Sequence, residues 1–221
     1  MCIRDRASTD RQGSGENLAA DRSGRVHELP WWASTRGFGW VVLVCGVGSL
    51  YGAVELTLER IQLYINPNHI AACDVGGAFS CSTVMKSAQA SVFGPPNPFI
   101  GLVGFTVLIV VGVVLATGTR LPRWFMNAHL LGTAAATGFL VWLYTQAVYE
   151  IGSLCLYCMV CWFFMGLLLP VHVARNILTN DLPAPKVLRG WAQHGAWLTS
   201  FIVLVACAGS IMVVFSKQLF G

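Results

Sequence analysis

The stretch IGSLCLYCMVCWFFMGLLLPVHVA, from Ile151 to Ala174, contains no Asp, Glu, Lys or Arg. It exceeds the roughly 20 apolar residues that a helix needs to cross a hydrocarbon core. Working outward, the same absence of acidic and basic residues holds for 87–119, 124–149 and 190–216. A further apolar run begins near residue 37 and fades where Glu55, Glu59 and Arg60 enter, charges that an interface or a water-lined face must solvate. The sequence therefore predicts five spans, at about 37–58, 98–117, 124–149, 154–175 and 195–216. Composition agrees: 55% of residues are hydrophobic and 11% charged, against about 25% charged in soluble domains. The expected class is an all-α integral membrane protein. Its net charge of +4 is spread over segments flanking the apolar runs, with no dense basic cluster, which argues against a nucleic-acid partner.

Residues 1–36 are polar and rich in Gly, Ser, Arg and Asp, a composition that buries too little apolar surface to order itself, and are read as a disordered cytoplasmic tail. The opening Met1-Cys2-Ile3-Arg4-Asp5-Arg6 has the look of translated adapter sequence, so Cys2 is given no role. Placing the N-terminus in the cytoplasm puts eleven of the fourteen basic residues on that side, leaving Arg60, Lys86 and Lys217 outside. In that orientation the loop 64–97 and the start of the fourth span, each carrying a cysteine pair, lie on the outer face.

Cys73 and Cys81 flank Gly76-Gly77, which permits a bend between them. Ser80 or Ser82 is a candidate cap for a short helix running to about Val92, with Cys81 at its start, where free N–H groups favour the thiolate. Cys155 and Cys158 form a C-x-x-C on one helical face. Cys158 lies deeper, where a thiol can meet a lipid-soluble oxidant. Single pairs are ambiguous: loop cysteines can form a static disulfide, and a C-x-x-C can bind zinc or haem. Haem attachment needs His after the second Cys, and Met159 stands there. Cys158 and Cys161 form a second C-x-x-C, set second because Cys155 is nearer water. Cys45 and Cys207 read as packed small hydrophobes, and His129 and His172 as helix-packing or interfacial residues.

The ordered set Cys73-Asp74-Val75-Gly76 to Ser80-Cys81-Ser82, then Phe93-Gly94-Pro95-Pro96-Asn97 leading into a span, then Cys155-x-x-Cys158, resembles the vitamin K epoxide reductase family over roughly residues 38–180. The resemblance implies a four-helix transmembrane bundle (37–180) enclosing a quinone, menaquinone or ubiquinone, with 181–221 adding a cytoplasmic loop and a fifth helix. It implies that Cys155 and Cys158 reduce the quinone and that Cys73 and Cys81 shuttle electrons to them, Cys81 exchanging with Cys155. Asn97 matches the asparagine that would hydrogen-bond a quinone carbonyl, and Trp162, Met85 and Phe93 join it as candidate quinone contacts. Trp162 stands where vertebrate members carry tyrosine, which favours quinone over epoxide reduction. The implied partner is a separate thioredoxin-fold, DsbA-like protein on the outer face, since no thioredoxin-like domain follows the fifth span. The implied setting is a bacterial inner membrane. The nearest competitor is a DsbB-type quinone-linked oxidase, which carries its C-x-x-C early rather than late. A transporter or scaffold with structural cysteines is the other alternative, although spans two to five lack the intramembrane charges of a substrate path.

Overall fold

The computed structural model describes residues 18–20 and 26–216. Met1–Arg6, including Cys2, and Lys217 lie outside them. Seven helices follow a short antiparallel pairing of β1 (Leu18–Ala20) with β2 (Val26–Glu28): α1 (Thr35–Ile65), α2 (Cys81–Lys86), α3 (Asn97–Ala116), α4 (Arg123–Thr145), α5 (Leu156–Leu178), α6 (Lys186–His194) and α7 (Ala196–Val214). Helices α1, α3, α5 and α7 are long and apolar enough to cross a membrane. Helix α4 has a similar length, but Asn127, His129, Thr133 and Thr137 dilute its apolar character.

The ordered bundle begins earlier than the expected boundary after residue 36. A single 3-10 turn at Trp31–Ala33 buries Trp32 and Ala33, and Ser34 caps α1 by accepting from the Gly37 N–H at 3.1 Å. Helix α1 also outruns its apolar stretch by two turns, to Ile65. Charged residues there find partners in the following loop. Glu59 holds the His69 ring at 2.8 Å and accepts from the Ala72 N–H at 3.0 Å, while Arg60 donates to the Met85 carbonyl.

Close approach of backbones builds the bundle. Helix α1 packs most extensively on α3 and next on α5. A Cβ added at Gly112 would lie 2.7 Å from the Leu43 nitrogen, and one at Gly46 would lie 2.9 Å from Ile109. Small residues at these crossings bring α1 and α3 together, as membrane helices require. Gly52 does the same at the N-terminal end of α5, where an added Cβ would meet the Tyr157 carbonyl at 2.8 Å and the Cys161 sulfur at 2.9 Å.

Two loop expectations are corrected. The helix expected from Cys81 to about Val92 stops at Lys86, because Ser87 turns extended and its hydroxyl donates to the Val84 carbonyl at 2.7 Å; a separate 3-10 turn occupies Ala88–Ser91. The span expected to run to residue 149 as one helix widens into a π turn at Gln146–Ile151, closed by Gly152 at φ 67°. At the opposite end of the bundle, Arg175 and Asp181 form a buried ion pair at 2.8 Å, and Asn176 donates to the Met126 carbonyl at 3.3 Å.

Candidate functional site

Leu154, just before α5, makes a parallel bridge to Phe79 of the loop between α1 and α3. The Leu154 N–H donates to the Ala78 carbonyl at 2.8 Å, and the Ser80 N–H to the Leu154 carbonyl at 3.0 Å. Cys81 and Cys155 each follow one residue after this pairing, so the bridge sets them side by side. Cys73 and Cys81 form a disulfide with a Cα–Cα distance of 5.8 Å. The sulfurs of Cys73, Cys81 and Cys155 all lie within 4.8 Å of one another, and all three residues are buried. Three reduced thiols so arranged could hold a metal ion, but the disulfide takes up two of them here.

The loop is fixed from several sides. Gly76 and Gly77 adopt φ of 89° and 59° between the cysteines, conformations that side chains disfavour. Ser80 caps α2 through the Thr83 N–H at 3.3 Å. The Asp74 carboxylate accepts from the Ser82 N–H at 3.0 Å. Burial alone raises the Asp74 pKa, but the hydrogen bonds from Ser82, Cys81 and Ser80 outweigh it and hold the carboxyl below its ordinary value.

Cys155 is the N-cap of α5, and its sulfur accepts from the Cys158 N–H at 3.4 Å. A hydrogen bond from the Cys158 side chain is the largest influence on it, followed by burial acting in the opposite sense and then by the Cys158 and Tyr157 N–H groups. The net effect holds Cys155 below the ordinary thiol pKa, which favours the nucleophilic thiolate. Both Cys155 and Cys158 are free thiols.

Cys158 faces a cavity of about 590 Å³ lined by α1, α3, α4, α5 and the loop between α1 and α3. Its wall includes Met85, Asn97 and Trp162 among the expected contacts, with Gln89, Gln146, His129 and Cys161 besides. Phe93 does not line it; that side chain is 63% exposed and rests against Phe139, centroid to centroid 5.3 Å. On α4 the wall runs from Trp124 to Leu143, which at about 1.5 Å per residue is roughly 28 Å. The space is therefore elongated, as a ring with a long apolar tail requires.

Unpartnered polar atoms line this wall. Among the described residues, Trp162 Nε1, Asn97 Oδ1 and both ring nitrogens of His129 are buried with no hydrogen-bond partner. The Asn97 amide orientation follows from its other bond, Nδ2 donating to the Gln89 carbonyl at 2.7 Å. So Asn97 presents an acceptor, suited to a hydroxyl, where the sequence led us to expect a donor to a carbonyl. The Trp162 indole supplies a donor suited to a carbonyl. A ligand that offers a carbonyl in one redox form and a hydroxyl in the other, as a quinone does, fits both. The sequence reads His129 as a packing residue, and its tilted contact with the His172 ring, centroids 4.9 Å apart, agrees; its place on the cavity wall is not legible from a lone histidine in an apolar run.

Comparison with known families matches residues 40–173 to the "Vitamin K epoxide reductase family". A curated relative, "Thiol-disulfide oxidoreductase LTO1" of Arabidopsis thaliana, is 36% identical over 96 residues. That alignment covers 41% of this chain and 25% of the relative, so the chain spans about a quarter of that protein's length.

Proposed function

The chain belongs to the vitamin K epoxide reductase family, and from that premise we propose that it is a membrane thiol-disulfide oxidoreductase that relays electrons from an outer-face protein thiol to quinone. The observation that carries this reading is the adjacency of two elements: a loop disulfide within 4.8 Å of the Cys155 sulfur, and Cys158 on the wall of an elongated cavity.

The chain's own residues perform the thiol chemistry. A reduced thioredoxin-fold partner attacks the Cys73–Cys81 disulfide, leaving two loop thiols and an oxidised partner. The Cys81 thiolate attacks Cys155 of an oxidised Cys155–Cys158 pair and expels the Cys158 thiolate. Cys73 then attacks Cys81, reforms the loop disulfide and releases Cys155. The arrangement here, with the loop pair oxidised and the inner pair free, corresponds to that point in the cycle. The Cys155 and Cys158 thiols would then give up two electrons and two protons as their disulfide reforms, and a quinone held in the cavity beside Cys158 would supply the acceptor. The lowered Cys155 pKa helps it act as a ready leaving group when Cys73 closes the loop. Trp162 would orient a quinone ring by donating to its carbonyl, and Asn97 would accept from a quinol hydroxyl.

The partner is proposed as DsbA-like and the setting as a bacterial inner membrane, as the family resemblance implies, with the N-terminus in the cytoplasm, an orientation supported by the asymmetry of basic residues. Family membership displaces the DsbB-type alternative. The test is to purify the protein in mild detergent, extract it for lipid-soluble quinone, and follow the quinone spectrum on adding a dithiol without oxygen. Stoichiometric conversion to quinol that Cys158→Ala loses is expected. A protein that retains no quinone and reduces none when supplied would sink the proposal.

A further inference from the structure

Helix α7 lies wholly outside the family match at 40–173, and the relay described above assigns it nothing. Its outer end nevertheless reaches the electron path. Ile211 and Phe215 are 7% and 2% exposed and form one apolar cluster with Ala78 and Leu154, the residues whose backbones join the loop to the start of α5. Phe79, the loop partner in that bridge, packs against the same cluster. Tyr144 of α4 ties α7 in place: its hydroxyl donates to the Cys207 carbonyl at 3.1 Å and also bonds the Ser210 hydroxyl. Much of α7 elsewhere is exposed, as for Phe201 at 64% and Val213 at 76%. Elsewhere the helix packs along α5, where Ser200 is buried and donates to the Leu167 carbonyl at 3.1 Å, so the cluster at the bridge is one part of its contact with the bundle.

The bridge decides where Cys81 stands relative to Cys155, since each sits one residue beyond it. A bridge of two hydrogen bonds at the water interface competes with solvent and contributes little unless apolar cover excludes water. Ile211 and Phe215 supply that cover. We propose that α7 is a brace for the exchange step, with Ile211 and Phe215 as positioning residues that hold the Ala78–Ser80 edge on Leu154 and so keep the Cys81 and Cys155 sulfurs in reach. This rests on the proposed relay and assigns the fifth long helix a role within it.

The step is accessible without quinone. In a Cys158→Ala background, the Cys155 thiolate attacks Cys81: the Cys155–Cys81 bond forms, the Cys73–Cys81 bond breaks, and the proton from Cys155 ends on Cys73. Two electrons stay shared among three sulfurs, and no outside oxidant is needed. The full-length protein is incubated in detergent, alkylated with iodoacetamide and mapped by mass spectrometry for alkylated Cys73 and the mixed disulfide. Adding Ile211→Ala with Phe215→Ala is expected to lower the mixed-disulfide yield about tenfold, the scale that loss of fixed reactant geometry reaches, and Phe215→Leu to keep most of it. Tyr144→Phe, which removes only a hydroxyl and leaves no cavity, provides a version safe for folding and is expected to lower the yield in the same direction. The KM for quinone with a small dithiol as donor should not move in a Cys158-containing Ile211→Ala/Phe215→Ala protein, since the cavity wall is intact; a rise there would mark a general loosening and overturn the brace. Unchanged mixed-disulfide yield in these variants would also overturn it. A Cys158→Ala parent that forms no mixed disulfide would sink the relay itself, and the brace with it, whereas a parent that forms it and ignores α7 sinks the brace alone.

Discussion

Gly132→Phe should raise the KM for a long-tailed quinone while sparing a tail-less one. Gly132 lines the cavity from α4, and a Cβ added there meets nothing within 4 Å, so the ring enters open space rather than backbone. Helix propensity works in favour of the change by a few tenths of a kcal/mol, since glycine is the costlier residue within a helix. Gly132 precedes Leu143 on the same wall by eleven residues, or roughly 16 Å at about 1.5 Å each. The new ring therefore obstructs the far end of the cavity, away from Cys158 and Trp162. If it displaces about 100 Å² of bound tail, at about 25 cal/mol per Å² the loss is about 2.5 kcal/mol, roughly 70-fold in affinity. The assay is anaerobic quinol formation with a dithiol donor, comparing quinones of one ring type with and without an isoprenoid tail. The KM for the long-tailed quinone should climb by tens of fold with kcat held, and the tail-less value should stay within a few fold. Equal KM values for both quinones in wild type and variant would place the tail elsewhere and refute the assignment of this cavity.

Three other outcomes follow from particular contacts. Alkylation of Cys155 by iodoacetamide tracks its thiolate, so its rate should fall as pH drops through a midpoint below the ordinary thiol value; Cys158→Ala removes the largest cause and should move that midpoint upward, and an unmoved midpoint counts against the cause. Asp74 has a depressed folded-state pKa, so its contribution is fully present above the unfolded value of about 3.9 and is lost as pH falls through the folded one. Protease resistance of the loop should hold from pH 7 to 5 and fall only below about pH 4; loss between 7 and 5 would contradict this. Asp181→Ala strands the buried Arg175 guanidinium and should cost about 3–5 kcal/mol, read as a lowered unfolding temperature in detergent, with Arg175→Met in the same chain recovering much of it.

Four of the five expected spans were legible because a membrane punishes charge within a helix, and they coincide with α1, α3, α5 and α7; the charge-free run at 124–149 is helical as α4, but its polar residues leave it short of a span's apolarity. Cysteine spacing and order carried the resemblance, and Asn97, Met85 and Trp162 do reach the cavity. What escaped the sequence depends on contacts between distant segments. Nothing local marks Leu154 as the partner of Phe79, yet that bridge brings Cys81 to Cys155. The extension of α1 to Ile65 relies on Glu59 and Arg60 finding partners 10 to 25 residues away, which an apolar-run criterion ignores. Phe93 sits in the right motif but on the wrong side of its turn, exposed against Phe139. The helix from Cys81 was cut short by a serine hydroxyl at Ser87, a competition that helix propensity alone underrates.

The central claim is that two cysteine pairs act in series. Its most direct test is anaerobic quinol formation by wild type, Cys81→Ala and Cys158→Ala, each with a reduced thioredoxin-fold protein and separately with a small dithiol. The account predicts that Cys158→Ala is inactive with both donors, while Cys81→Ala is inactive with the protein donor and active with the small dithiol. Full activity of Cys81→Ala with the protein donor, or of Cys158→Ala with either, would contradict it.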